Sequence, residues 1–225
     1  MSKTNSNSTL FLIDGSTFIF RAYFAMYKAS QSRGSGFTRS DGTPTGAVMA
    51  FCNMMWKIIT NGIDGIHPSH IAVIFDTKEK TFRSDIYPLY KANRDAPPED
   101  LIPQFPLIHK AVEAFNIKCI SQIGYEADDL IATYSKIATK RNIKTIIISG
   151  DKDLMQLIDN NVRMYDPMPG KERFIDINGV QDKFGVAPDK VVDVQALAGD
   201  TTDNIPGVPG IGVKIASELI NEYHT

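Results

Sequence analysis

Hydrophobic positions fall into two alternating kinds of segment. Short β-branched runs predict strands: TLFLID (9–14), HIAVIFD (70–76), IKCIS (117–121), IKTIIIS (143–149) and VRMYD (162–166). Between them, TGAVMAFCNMMWKIIT (45–60), QFPLIHKAVEAF (104–115) and EADDLIATYSKIATKR (126–141) carry apolar residues at helical spacing. The run Thr145 to Ile148 is continuously apolar or β-branched rather than alternating, which suits a strand covered on both faces. This alternation predicts an α/β fold, a mostly parallel central sheet flanked by helices. After about residue 185 the strand pattern stops. PDKVVDVQALAGD (188–200) and GIGVKIASELINEY (210–223) read as helices joined by a Gly/Pro-rich loop. The expected organisation is a disordered tail over 1–8, an α/β domain over 9–185 and a helical region over 186–225. SQSRGSGFTRSDG, residues 30–42, is expected to be a mobile loop.

Composition changes this picture little. A chain of 225 residues, 43% hydrophobic, can bury a substantial core. Cys52 and Cys119 match no metal or redox spacing and read as buried apolar side chains in a reducing compartment. No apolar run approaches the ~18 residues of a membrane span, and MSKTNSNST lacks a signal-peptide core.

The acids change it more. Asp14, Asp76 and the pair Asp151 and Asp153 follow three separate strands, at the sheet edge where open α/β sheets place their chemistry. Glu126, Asp128 and Asp129 open a helix, and Asp200 with Asp203 lies in GDTTDN. Any one of these aspartates is as readily a helix or turn cap. Nine carboxylates from five elements are harder to explain so. Like charges in a partly buried cleft repel, and an oxygen-only set favours Mg²⁺ or Mn²⁺ over Zn²⁺. Two such ions about 4 Å apart cleave phosphodiesters in nucleases.

Setting the nine aside leaves 17 acids against 24 Lys and Arg, so the remaining surface is basic despite a net charge of −2. In TKEKTFRSDIYPLYKANR (77–94), Lys78, Lys80, Arg83, Lys91 and Arg94 alternate with Phe82, Tyr87 and Tyr90. That mixture can neutralise phosphates and stack on unpaired bases, although a solvated helix face would have a similar composition. In IPGVPGIGVK (205–214), Gly207, Gly210 and Gly212 permit a tight turn before a helix whose N–H groups, with Lys214, can hold a phosphate. Between two helices this has the look of a helix-hairpin-helix.

FLIDGSTFIFRAYFA, DGTPTGAV, FRSDIYPLYKANR, GYEADDLIAT, SGDKDLMQL and LAGDTTDNIPGVPGIGVK, in that order, resemble the 5′-nuclease family that includes the N-terminal domain of bacterial DNA polymerase I, within the flap endonuclease superfamily. The match runs from about residue 9 to the end of the sequence. The resemblance implies a PIN-like 5′-nuclease fold with a helical arch at about 77–110 and a helix-hairpin-helix at 186–225. It implies a structure-specific 5′→3′ exonuclease and flap endonuclease that acts on 5′ flaps, nicks and RNA primers in replication and repair. A bacterial cytoplasmic, nucleoid-associated monomer is implied, either free-standing or the N-terminal part of a DNA polymerase I with covalently joined polymerase domains in the full-length protein.

By the same resemblance, Asp14, Asp76, Glu126, Asp128 and Asp129 form a first metal site, and Asp151, Asp153, Asp200 and Asp203 serve a second ion or its surroundings. Which of them touch metal is left open. Arg21 matches an arginine near the scissile phosphate, and Arg83, Lys91 and Arg94 match basic arch positions. Lys91 and Arg94 are candidates to stabilise charge developing on the phosphate. Tyr87 and Tyr90 are candidates to stack on terminal bases. The hairpin glycines and Lys214 would hold duplex, with a K⁺ ion bound by backbone carbonyls. The sequence departs from the family pattern in its longer 30–42 segment and in Ile215, which stands where Thr is common. It also ends at Thr225, soon after the hairpin, so weaker duplex binding is expected. A non-catalytic DNA-binding relative would lose the acids. A phosphatase or receiver domain would not need the hairpin, and a PIN ribonuclease is usually shorter and lacks both arch and hairpin.

Overall fold

The computed structural model describes residues 8–33, 36–168 and 170–224, with the backbone alone for 30–33. Residues 1–7 of the expected tail, and positions 34 and 35 of the expected loop, lie outside the described residues. Strand β1 (Thr9–Asp14) leads directly into α1 (Gly15–Arg33), followed by α2 (Gly46–Asn61) and β2 (His70–Ile74). Next come α3 (Phe82–Ile86), α4 (Phe105–Ala114), β3 (Lys118–Ile120), α5 (Ala127–Lys140) and β4 (Lys144–Ile148). The chain continues through β5 (Val162–Asp166), β6 (Arg173–Ile175), α6 (Ile177–Phe184), α7 (Val191–Ala198) and α8 (Val213–Tyr223).

The sheet order is β3-β2-β1-β4-β5-β6, parallel except for the antiparallel β5–β6 edge. Its centre is apolar on both sides because successive side chains point to opposite faces. Phe11 and Ile13 of β1 join a core with Phe18, Phe51, Met55, Ile108 and Val112 under α1, α2 and α4. Leu12 faces the other way, into a core with Ile131, Ile147, Val180, Val194 and Ile220 under α5 to α8.

Three elements went unpredicted. Helix α1 buries Phe18, Ile19, Ala22 and Tyr23, a helical spacing obscured by apolar residues on its outer side, with Phe24 and Tyr27 about half exposed. The short β6 and α6 carry little periodic signal in three and eight residues. The 30–42 segment also needs correction: α1 continues through Arg33, because SQSR contains neither Gly nor Pro to stop it. Beyond residue 35 the segment closes as a turn, with Thr38 bridged to Pro44. Of the span expected to arch over the site, α4 packs Ile108 and Val112 into the core, and only 82–94 lies across the acids. No helix among the described residues is long and apolar enough to cross a membrane.

Candidate active site

Parallel pairing sets the level of the acids. Asp14, the last residue of β1, pairs in register with Ile74, so Asp76 stands two residues beyond the same sheet edge. Ile13 pairs with Ile148, which places Ser149 and Asp151 just past it. The chain must turn sharply here. A Cβ on Gly15 would lie 2.4 Å from the Phe75 ring, so glycine lets α1 begin against the neighbouring strand.

Hydroxyls and amides aim the first carboxylates. Buried Asp14 accepts hydrogen bonds from the Thr17 amide at 3.0 Å and from Ser149 Oγ at 2.7 Å. Asp76 accepts from Ser16 Oγ at 2.6 Å and from the Ala127 amide at 2.8 Å. Asp151 accepts from the Asp153 amide at 2.9 Å. Asp128, on the first turn of α5, has no hydrogen-bond or ion-pair partner among the described residues. Burial pushes the Asp128 carboxyl well above the usual range, and the charges of Asp151, Asp14 and Asp76 push it further. Burial likewise raises Asp14 and Asp151, which also repel each other.

The other five acids are paired. Arg83 donates two hydrogen bonds to Asp129, both 2.8 Å, and lies 3.9 Å from Glu126. Lys91 Nζ reaches Glu126 at 3.0 Å and Asp203 at 3.9 Å, while Arg94 donates to Asp203. Tyr90 donates its hydroxyl to Glu126 at 2.9 Å and Asp203 at 3.1 Å. Lys152 pairs with Asp200 and lies 3.8 Å from Asp153, which also accepts from Gln195. The Arg83 hydrogen bonds hold Asp129 below the usual carboxylate range. At Asp200 burial acts upward, but Lys152 and the Thr202 amide outweigh it and the net shift is down. Asp153 stays raised, because burial and the Asp151 charge exceed what Gln195 and Lys152 return.

All nine acids thus gather around one region, but in unequal settings. Asp14, Asp76, Glu126, Asp128 and Asp151 line a cleft of ≈ 790 Å³ with Arg21, Lys91 and Arg94. Asp129, Asp153, Asp200 and Asp203 line a second cleft with Arg83, Tyr87 and Tyr90. Among the described residues no three of these side chains converge tightly enough to hold an ion as they stand. Their chemistry still fits a hard divalent cation: oxygen donors only, three of them destabilised as anions by burial and by each other.

Arg21 donates to Asp166 at 3.1 Å, and its Nη1 is buried without a partner. The Tyr90 ring is covered by Lys91, whose Nζ is 4.8 Å from its centroid. Gly207 packs against Ala198, where a Cβ would come within 2.4 Å of backbone, so its close approach is real. Gly210 takes a left-handed φ of 83° in open space; Gly212 caps α8 from an extended conformation, and Lys214 is exposed beside it. Sequence reading passed over Lys152, Ser149, Thr17, Gln195, Asn93 and Asn204. Lys152 alone carried a local signal, standing between two acids in GDKD.

An acidic centre at the C-terminal strand ends, roofed by a basic strap and followed by a glycine hairpin, defines a resolvase-like α/β domain with a helical extension. Residues 9–185 match the 5′-3′ exonuclease N-terminal resolvase-like domain, and 186–225 match the 5′-3′ exonuclease C-terminal SAM fold. The chain belongs to the 5′-3′ exonuclease family. It is 52% identical to DNA polymerase I of Rhizobium leguminosarum over 95% of this chain and 20% of that protein. It is 37% identical to a 5′-3′ exonuclease of Aquifex aeolicus, over 96% of this chain and 70% of that one. The chain therefore spans about a fifth of the DNA polymerase I relatives it matches. In fold it resembles a bacteriophage T5 flap endonuclease solved with DNA and metal ions, with a TM-score of 0.74 at 22% identity, covering 96% of this chain and 75% of that one. Flap endonuclease-1 from Methanococcus jannaschii gives 0.62 at 18% identity, covering 97% and 72%.

Proposed function

We propose that this chain is a structure-specific 5′→3′ exonuclease and flap endonuclease that hydrolyses phosphodiester bonds of 5′ flaps, nicked strands and RNA primers. One observation carries this reading: Asp14, Asp76, Asp128 and Asp151 converge from strand ends and a helix start with no cation paired to any of them, beneath a strap of Lys and Arg. These four would hold Mg²⁺ or Mn²⁺, with Glu126, Asp153, Asp200 and Asp203 beside them for a second ion. Bound there, the ions supply water activation and stabilisation of the leaving oxygen.

The chain's own groups do the rest. Thr17, Ser149 and Ser16 hold Asp14 and Asp76 in one orientation, which limits reorganisation during reaction. Lys91 and Arg94, released from Glu126 and Asp203, stabilise negative charge on the phosphate. Arg21 offers its unpartnered Nη1 to a phosphate oxygen. Arg83, Tyr87 and Tyr90 guide the unpaired 5′ strand, and Gly207, Gly210, Gly212 and Lys214 hold the duplex backbone, with a monovalent cation such as K⁺ at the hairpin carbonyls. Relatives named DNA polymerase I support covalently joined polymerase domains; action at the bacterial nucleoid is part of the same proposal.

A 5′-labelled flap duplex incubated with Mg²⁺ should be cut near the junction, much faster than a blunt duplex or a single strand, and EDTA should stop the reaction. Tight binding with no cleavage in Mg²⁺ or Mn²⁺ would overturn the reading and leave a binding module.

A further inference from the structure

The strap over the acids has an unusual mechanical status. Residues 77–100 contribute no buried side chain, and Ile86 and Leu89 are 77% and 56% exposed. Apolar packing therefore does not fix the strap, and polar ties must. They are of two kinds. Tyr90, Lys91 and Arg94 bind Glu126 and Asp203, which, on the function proposed above, turn to metal and release them, while Arg83 binds Asp129. The second set avoids the carboxylates altogether. Asn93 Nδ2 donates to the Thr201 carbonyl at 2.7 Å, Asn204 Nδ2 donates to the Leu89 carbonyl at 2.8 Å, and the Lys91 amide donates to the Asp203 carbonyl at 2.9 Å.

The loop on the far side of these bonds is a firm platform. Asp200 and Ile205 exchange two backbone hydrogen bonds of 2.8 Å, closing residues 200–205 on themselves. Beneath it Gly199 meets Gly207 so closely that a Cβ would come within 2.4 Å of the Gly207 nitrogen. Lys91 and Asn204 face each other across the junction with φ of 56° and 58°, a conformation that Asn tolerates and Lys adopts only under constraint.

We infer that Asn93 and Asn204 are positioning residues: their two amide bonds latch the strap to the 200–205 loop and keep Lys91 and Arg94 over the cleft once the carboxylates hold metal. The inference rests on the nuclease reading for its consequence and on the hydrogen bonds for its existence, so the two can be tested apart. Asn93→Ala and Asn204→Asp are the variants. Aspartate keeps the size and the left-handed tolerance of Asn204 but sets an acceptor against the Leu89 carbonyl.

Trypsin, in Ca²⁺ and without DNA, should cut after Lys91 and Arg94 about thirtyfold faster in the double variant. Two hydrogen bonds of roughly 1 kcal/mol each set the closed population that protects them. Thermal unfolding should not change. In single turnover on a 5′ flap, the variant should lose about 10²-fold in kcat, with KM and duplex affinity held within a few-fold. Unchanged trypsin cleavage overturns the latch, as does a loss confined to KM. A faster trypsin cut in a protein whose wild type cleaves no flap establishes the latch and sinks the nuclease reading instead.

Discussion

Two sets of carboxylates share one sheet edge and differ in what faces them. Asp14, Asp76, Asp128 and Asp151 are held by hydroxyls and amides or by nothing; Asp129, Asp200, Asp203 and Glu126 each meet a Lys or Arg. The fold raises the carboxyls of Asp14, Asp128 and Asp151, and lowers those of Asp129 and Asp200. Identical side chains a few residues apart thus have opposite effects on stability. The unpaired set stores repulsion that a cation relieves. The paired set contributes to a closed arrangement that metal or substrate must displace.

Removing one unpaired acid tests this most severely. Asp151→Ala should reduce flap cleavage by about 10³-fold or more, the scale of the several kcal/mol that metal ions supply. The metal-free variant should melt no lower than wild type, and Asp128→Asn should melt higher, because each removes charge from a repelling group. In wild type, added Mg²⁺ should raise Tm progressively, by mass action, and Asp151→Ala should largely abolish that rise. Calorimetry showing both variants strongly destabilised would reassign these acids to structural roles.

The paired set should respond in the opposite sense, and Lys152 is its sharpest probe. Lys152→Met leaves the buried Asp200 without its cation, and metal-free stability should fall by roughly 1–3 kcal/mol. The same change removes a competitor from Asp153 and Asp200, so isothermal titration should find tighter Mn²⁺ binding. Looser binding would mean that Lys152 supports the ion site rather than blocking it.

How much of this was legible in the sequence follows from what each feature depends on. The β-branched runs at 143–149 and 70–76 announced buried parallel strands, and acids directly after them had to meet at one edge. The partition of those acids could not be read, because it depends on partners from distant positions: Arg83 from a strap 46 residues before Asp129, and Ser149 Oγ from the end of another strand 135 residues after Asp14. Asp129 illustrates the limit. Its place in GYEADDL groups it with Asp128, yet α5 turns it toward Arg83 and the Glu126 amide while Asp128 takes no partner. Helix α1 was missed for a different reason: its buried spacing is interrupted by Arg21, whose partner Asp166 lies 145 residues away.

A smaller effect should come from the Arg83–Asp129 pair, about a quarter exposed on both sides. Arg83→Met should lower metal-free stability by about 1 kcal/mol, the scale of a bidentate pair partly open to solvent. Chemical denaturation can resolve it. No measurable change would place Asp129's value in its hydrogen bond to the Glu126 amide at 2.9 Å, and Asp129→Asn would then separate the two roles.

The pH dependence of the metal-free protein combines both sets in one curve. Asp14, Asp128 and Asp151 have folded values above the unfolded 3.8, so their ionisation opposes folding; that opposition disappears as pH falls through the raised values. Asp129 and Asp200 have folded values below 3.8, so their contribution is full above 3.8 and is lost as pH falls through the lowered values. Stability in EDTA should therefore rise as pH is lowered from neutrality through the raised values toward 3.8, and then fall below 3.8 as the lowered values are passed. Asp128→Asn should flatten the rise and leave the acid-side fall in place. Saturating Mg²⁺ should reverse the sign of the upper limb, because protons then compete with the ion for the same oxygens. A curve with no rise in EDTA would show that Asp14, Asp128 and Asp151 are not destabilised as anions, and the contrast between the two sets would lose its physical basis.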